Sequence, residues 1–224
     1  MSSKTNLKKF TVTALFCAIA FLMTFLFRFK VSFLTFDFKD AIISVVSLLY
    51  GPIYGVVSSA VVAVLEFLSV SDTGVYGLIM NFISSATFAL GCGLVYKFKR
   101  SFGGAIAAVS TSVVCVTAVM MVANIFITPY YMGVPTKNII GLIPILLLPF
   151  NLCKAIINAA SVLIIYKPIT TSLKKSGLVD TANPVKYTIN KKSVLLIVIS
   201  VIVLIIAILF IILKMDGSFS LFKN

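Results

Sequence analysis

Long apolar runs alternate with short polar stretches along the whole chain. Most of these runs have, or nearly have, the roughly 20 helical residues that cross a bilayer core of ~30 Å. The last run does not alternate polar and apolar residues, as a strand of a transmembrane β-barrel does. The pattern therefore predicts an all-α integral membrane protein, with a six-helix bundle and an additional C-terminal transmembrane helix. The seven predicted segments are at about 10–27, 39–50, 53–71, 75–96, 103–128, 139–166 and 193–213.

Composition supports a membrane environment and excludes several other classes. Hydrophobic residues make up 60% of the 224 residues, charged residues only 11%, and the mean hydropathy is +1.15. A soluble domain needs more charge than this to cover its surface. The net charge of +13 is typical of cytoplasmic flanks of membrane spans, so nucleic acid is not an expected partner. Four cysteines lie in apolar runs without metal-like spacing and predict small buried side chains: Cys17, Cys92, Cys115 and Cys153.

Basic residues predict the orientation of the spans. Twelve lysine and arginine residues, in the N-terminal stretch, at 97–100 and at 167–192, lie on one side, against six at 28–39, 137 and 214–223 on the other. The positive-inside rule then places the N-terminus in the cytoplasm and the C-terminal tail outside. The predicted organisation is a substrate-binding membrane domain (1–168), a cytoplasmic connector (169–192), an extra transmembrane helix (193–213) and a tail (214–224).

Two charged residues lie well inside apolar runs. Glu66 is the carboxylate of "VVAVLEFLSV", and Lys154 is the cation of "PFNLCKAIINA". A charge at bilayer depth is costly, and it is normally paired or faces a water-filled cavity. We therefore expect either that Glu66 and Lys154 pair or that they line one polar cavity.

Asparagines add to this polar set. Asn151 and Asn158 share a helix face with Lys154, since the spacing is i, i+3, i+7. Asn81 and Asn124 lie in two other spans. A single amide is often a hydrogen-bonding contact between helices. Amides from three spans, together with a lysine, favour a binding cavity.

Two loops on the outer side are candidates for closing such a cavity. The stretch 27–40, "FRFKVSFLTFDFKD", alternates apolar and polar residues and predicts an extended lid, with Lys39 and Asp40 at its end as candidate site residues. The stretch 124–138, "NIFITPYYMGVPTKN", predicts a proline-fixed aromatic loop. Its Tyr130 suits a flat heterocyclic ligand, although tyrosines at an interface are commonly belt residues.

Catalysis is poorly supported by the sequence. The chain has no histidine, so no Ser/His/Asp set is possible, and neither Glu66 nor Asp72 has a partner carboxylate at helical spacing for a metal. No Gly-rich phosphate loop is present. We expect neither an enzyme nor a bound metal or cofactor.

The first span contains a pattern of small residues. Ala14 and Ala18 form a small-xxx-small pattern that predicts close helix packing, inside the bundle or against a partner.

Five stretches together resemble the substrate-binding S components of energy-coupling factor (ECF) vitamin transporters, most closely the riboflavin-specific type. They are the Ala14-x-x-x-Ala18 pattern, "LLYGPIYG" (48–55), "GLIMNFISS" (77–85), "ITPYYMGV" (127–134) and "LPFNLCKAIINA" (148–159), within a resemblance that covers about residues 8–168. The resemblance implies a six-helix bundle in the plasma membrane of a bacterial cell. The extra helix and its connector depart from that pattern.

The resemblance also implies a function and partners. The expected function is high-affinity riboflavin binding on the outer side and inward release, driven by a transmembrane coupling subunit and two separate ATPase subunits. Asn124, Asn151 and Lys154 are implied ligand contacts, the loop at 31–40 an implied lid, and Ala14 and Ala18 an implied partner interface. Amides match the imide edge of neutral riboflavin by presenting donor and acceptor together. The alternatives are another vitamin or small heterocycle, or an autonomous secondary transporter.

Overall fold

The computed structural model describes residues 2–178, 191–214 and 218–219. Among these residues, five helical stretches are long and apolar enough to cross a membrane. Residues 179–190 of the predicted connector, and most of the predicted tail, lie outside the described part. The helices are α1 (Ser2–Leu26), α2 (Lys39–Tyr50), α3 (Pro52–Ser69), α4 (Gly74–Phe98), α5 (Phe102–Met132), α6 (Thr136–Leu142), α7 (Leu148–Lys175) and α8 (Lys191–Lys214).

The predicted apolar segments correspond to helices with small shifts at their ends. The sharp turn between α2 and α3 uses Gly51, whose φ of 105° is accessible to glycine at little cost. Helices α2, α3 and α4 pack closely at Gly93, which has no side chain. A Cβ atom at this position would clash with Ser47 and with the backbone of Pro52. The hydroxyl of Ser47 donates to the Ala89 carbonyl at 2.6 Å, which further joins α2 to α4.

The predicted aromatic loop at 124–138 is wrong for most of its length. Helix α5 continues through Pro129 to Met132, and ends at Gly133 in the left-handed conformation with φ 64°. Proline removes one backbone donor but is tolerated in membrane helices, where neighbouring groups satisfy the freed carbonyl. The loop is therefore only the few residues between α5 and α6.

A π-helical turn precedes the polar face of α7. It spans Ile143–Leu147 and joins α6 to α7 without a break, with Pro144 near its start. Such insertions widen one helical turn and rotate the residues that follow, and they are frequent near functional sites. The predicted domain boundary at 168 falls inside α7, which continues through Pro168 to Lys175.

The segment expected to be an extended lid forms a β-hairpin. Strands β1 (Phe29–Val31) and β2 (Leu34–Phe36) pair antiparallel, and Ser32 in the turn has φ 54°. A third strand, β3 (Ser218–Phe219), pairs antiparallel with the other edge of β1. The hairpin thus lies between α1 and α2 in sequence and is extended by residues from the C-terminal end.

Helix α8 packs against the bundle along one face. Most of its large side chains are exposed, but Ala207 and Ile211 are buried. They form one apolar cluster with Val31 and Phe36 of the hairpin and with Phe150 and Ile157 of α7. One face of α8 therefore packs against both α7 and the hairpin.

Candidate functional site

A cavity lies between α4, α5, α7 and the hairpin. Its empty space, counted out to the open mouth, is about 710 Å³. Its wall is mostly apolar and aromatic, with polar groups at the α7 end and at the mouth. The lining residues are Arg28, Phe33, Leu34, Thr35, Thr73, Tyr76, Gly77, Met80, Asn81, Ser84, Met120, Asn124, Ile127, Thr128, Tyr131, Phe150, Asn151 and Lys154.

Three asparagines line the cavity with different amounts of free hydrogen-bonding capacity. Asn124 donates to the Met120 carbonyl at 2.7 Å and accepts from Thr128 at 2.9 Å, which leaves one N–H. Asn151 donates to the Leu147 carbonyl at 2.8 Å; its other N–H and its oxygen have no partner among the described residues. Asn81 makes no side-chain hydrogen bond within the same part of the chain. The cavity therefore offers amide donors and acceptors from α4, α5 and α7.

Lys154 is 7% exposed and lines the same cavity. Its ammonium group lies 3.0 Å from Oδ2 of Asp37 and donates to the Thr35 carbonyl at 3.3 Å. An ammonium has three N–H donors, so one remains. Because Asp37 compensates the charge, Lys154 can contribute a hydrogen bond without imposing a net positive charge on the site.

A buried ionic network continues from Asp37 away from the cavity. Lys39 lies 2.9 Å from Oδ2 of Asp37 and 2.9 Å from Oε2 of Glu66, and all three side chains are almost fully buried. Asp40 accepts a hydrogen bond from Ser85. Such a network is stable in an apolar interior only when each charge has partners.

The expectation for Glu66 is wrong. Glu66 neither pairs directly with Lys154 nor lines the cavity, and it pairs instead with Lys39, which is as deeply buried. The physical reason is that α2 begins at the hairpin and brings Lys39 between Asp37 and α3. Lys154 therefore finds its counter-ion, Asp37, at the end of the hairpin.

The predicted site residues thus separate into groups. Asn81, Asn124, Asn151 and Lys154 line the cavity, whereas Lys39, Asp40 and Glu66 belong to the adjoining network. Tyr130 is 76% exposed, and its neighbour Tyr131 lines the cavity instead. Asp40 contributes to a smaller cavity of about 220 Å³ that shares Ser84, Asn151 and Lys154 with the main one.

Sequence reasoning missed Asp37, Arg28 and Tyr131. Asp37 lies between two phenylalanines in the alternating stretch "FDF", and that alternation separates its side chain from theirs. The alternation indicates a face opposite the phenylalanines, and it gave no signal that the Asp37 carboxylate is buried. Arg28 carried no signal either, because a basic residue at the end of a span is common.

The mouth of the cavity is held by contacts between the hairpin and the α3–α4 loop. Arg28 donates to the Val70 carbonyl and lies 4.0 Å from Asp72, and Lys30 forms a close ion pair with Asp72. The hydrogen bond from Lys30 lowers the pKa of Asp72, so this carboxylate is ionised at neutral pH. The rings of Tyr76 and Tyr131 lie beside each other in a tilted arrangement, with centroids 6.3 Å apart and an interplanar angle of 58°.

The small-residue pattern of α1 faces outward. Ala14 and Ala18 are exposed, whereas Phe16, Cys17 and Ala20 are buried in a cluster with side chains of α2 and α3. Ala14 and Ala18 are thus not used for packing inside the described bundle. They remain available to a partner.

Comparison with known proteins gives a consistent result. Riboflavin transporter RibU of Staphylococcus aureus (strain TCH60) is 28% identical over 179 residues, covering 75% of this chain and 93% of that protein. Riboflavin transporter FmnP of Bacillus subtilis (strain 168) is 28% identical over 169 residues, covering 68% and 86%. A solved structure described as the S component of a bacterial ECF transporter matches with a TM-score of 0.65 at 26% identity, covering 75% of this chain and 99% of that one.

The family model described as "ECF transporter, substrate-specific component" matches residues 8–166. The match includes the hairpin, the cavity and the ionic network, and it ends before α8. It confirms the family and the all-α membrane bundle expected from the sequence motifs. The chain is therefore a multi-pass membrane protein that belongs to the substrate-specific components of ECF transporters.

Proposed function

We propose that the chain is the riboflavin-binding subunit of an ATP-driven ECF-type importer. The observation that carries this proposal is the convergence of Asn124, Asn151 and Lys154 on one largely apolar cavity. The imide edge of the flavin presents both donors and acceptors, which the free N–H and C=O groups of these side chains complement. The names of the two riboflavin transporters among the relatives support the same ligand.

The charges at the α7 end of the cavity favour a neutral ligand edge. Lys154 is compensated there by Asp37 and does not require an anionic ligand as its partner. At the mouth, Arg28 and Lys30 share one carboxylate, Asp72. The remaining wall, which includes Tyr76 and Tyr131, suits a flat ring system with an apolar face.

The orientation of the ligand follows from the position of the polar groups. The imide edge contacts the α7 end, where Asn151 and Lys154 have unused donors. The polyol chain extends towards the mouth, where Thr73 and Arg28 lie, and where the buried Nε of Arg28 has no hydrogen-bond partner among the described residues. The hairpin covers the bound ligand from the outer side.

Transport requires partners that the chain does not supply. We propose that a transmembrane coupling subunit docks on α1 at Ala14 and Ala18, and that two ATPase subunits hydrolyse ATP. The N-terminus lies in the cytoplasm. In this arrangement the ligand enters from outside and is released inward, without catalysis by the chain itself.

The test uses the fluorescence of riboflavin, which binding in an aromatic cavity quenches. The chain contains no tryptophan, so the protein contributes little background. Detergent-purified protein should bind riboflavin at near one equivalent, and Lys154→Ala should weaken binding by about 10-fold or more, since one hydrogen bond from a charged donor contributes about 1.5–3 kcal/mol. Lys137→Ala, at an exposed position of α6, is the matched control. Absence of riboflavin binding by the wild-type protein would refute the proposed ligand.

A further inference from the structure

Four contacts join the end of the hairpin and the start of α2 to one face of α7. Lys154 Nζ lies 3.0 Å from Oδ2 of Asp37 and donates to the Thr35 carbonyl at 3.3 Å. Asn158 Nδ2 donates to the Asp37 carbonyl at 3.2 Å, and Asn158 Oδ1 accepts from the Ala41 amide at 2.9 Å. Lys154 and Asn158 are four residues apart, so adjacent turns of α7 hold the same short segment.

Asp37 determines where the Lys154 ammonium lies. A lysine side chain has a flexible four-carbon stem, and its ammonium can donate in several directions. Here two of its three donors are occupied by the hairpin, and the third is available to the cavity that Lys154 lines. Asp37 is itself held by Lys39 at 2.9 Å, so its carboxylate is a fixed acceptor.

We propose that Asp37 is a positioning residue for ligand binding. It fixes Lys154 so that one N–H donates to the ligand, and the same ion pair holds the end of the hairpin against α7. Ligand affinity and closure of the hairpin are thereby coupled through one ammonium group. This inference rests on the proposed function for the identity of the ligand.

The charge distribution makes Asp37→Asn a usable test variant. The network contains three carboxylates, Asp37, Asp40 and Glu66, and two ammonium groups, Lys39 and Lys154. Replacing Asp37 by asparagine leaves two groups of each sign, but Lys154 then has no ionic partner among the described residues. The isosteric amide keeps the volume and an acceptor oxygen. In the Lys154→Met background the unpaired ammonium is absent, and Lys39 and Glu66 remain as an ion pair.

The experiment is a double-mutant cycle on the full chain with riboflavin as the probe. Asp37→Asn is expected to raise Kd on the order of 10–100-fold, by analogy with residues that orient the ligands of a metal ion, whose mutation costs that much affinity. In a Lys154→Met background the same change is expected to alter Kd by no more than about twofold, because Asp37 then has no ammonium group to position. Twofold is about the margin within which independent effects add. Glu66→Gln removes a carboxylate from the network without contacting Lys154, and its effect should be smaller than that of Asp37→Asn.

A second measurement does not depend on the ligand. Hydrogen exchange of the hairpin amides at 34–36 in ligand-free protein should be faster in Asp37→Asn and in Lys154→Met, and no faster in the double variant. Equal losses of affinity in both backgrounds, or a change within about twofold in the wild-type background, overturn the proposal. If the wild-type protein does not bind riboflavin, the proposed function is refuted. The positioning role is then tested by hydrogen exchange alone: it is refuted if the increases in exchange rate of the two single variants add up in the double variant.

Discussion

Two asparagines on the same face of α7 differ in how much of their hydrogen-bonding capacity the protein already uses. Asn158 makes three side-chain hydrogen bonds, of 2.9 to 3.2 Å, and two of them hold the start of α2. Asn151 makes one, to its own helix at Leu147. We predict that Asn158→Leu mainly lowers stability and that Asn151→Leu mainly lowers riboflavin affinity.

The magnitudes follow from these hydrogen bonds. Each lost hydrogen bond contributes about 0.6 kcal/mol in membrane proteins and up to about 1.5 kcal/mol in water. Three lost bonds predict that Asn158→Leu lowers the free energy of unfolding by about 2–4.5 kcal/mol, or about 4–18 °C in apparent Tm for a chain of this size. Asn151→Leu removes two groups available to the ligand, which at about 0.5–1.5 kcal/mol each predicts a roughly 5- to 150-fold rise in Kd.

Buried cysteines provide the stability assay. Cys17 and Cys92 are buried and react with a thiol-specific dye only after unfolding, whereas Cys115 is exposed. The assay therefore uses a background in which Cys115 and the half-buried Cys153 are replaced by alanine. Riboflavin affinity is measured in the same background at a temperature well below the lowest Tm. Asn138→Leu, at an exposed position of α6, is the control for the change of residue type.

The reasoning is refuted if the ranking of the two variants does not reverse between the assays. Equal losses of affinity would mean that Asn158 also acts on ligand binding, by direct contact or through its hydrogen bonds to the segment 37–41. A large fall in Tm for Asn151→Leu, with Kd unchanged, would mean that the unused groups of Asn151 do not face the ligand.

Two further predictions concern surfaces outside the cavity. Ala14→Trp or Ala18→Trp should reduce ATP-dependent uptake at least about 10-fold and leave riboflavin binding unchanged, because small residues permit close contact between helices. Val198→Trp, at an exposed position of α8, is the control. Normal uptake by both α1 variants would contradict the proposed interface. Ala207→Phe should increase the riboflavin dissociation rate, because the larger side chain separates α8 from the hairpin. Ile206→Phe, at an adjacent exposed position, should leave the rate unchanged. Equal dissociation rates in the two variants would show that α8 does not support the hairpin.

Helix positions were predictable because the bilayer imposes one requirement on every span. Apolar runs of sufficient length form helices, and basic flanks and glycine–proline turns mark their ends. The error at 124–138 has the same origin, since Pro129 ends a helix far more often in water than in a membrane bundle. Nothing local in the sequence indicated that α5 continues to Met132.

The ion pairs were less predictable, because the packing of the helices determines which charged side chains lie close to each other. From the sequence, Glu66 and Lys154 were the two charges inside apolar runs, and a direct pair was the simplest arrangement. The structure uses Asp37 and Lys39, which lie at the boundary between the hairpin and α2. Residues at such boundaries are buried only because the hairpin folds back over the bundle, and residue spacing along the chain does not encode that contact.

The polar residues of this bundle are separated by their remaining hydrogen-bonding capacity rather than by residue type. Among the described contacts, Asn158 has both N–H groups occupied, Asn124 retains one N–H, Lys154 retains one, and Asn151 retains an N–H and its oxygen. All of these residues are buried, so an unused donor carries a desolvation cost unless a ligand or water satisfies it. The unused groups converge on the same cavity, and Asn158, which has no free donor, lines only the smaller one. A ligand with several acceptors at one edge would remove that cost at once, which accounts physically for why a bundle of apolar helices retains a lysine and several amides there.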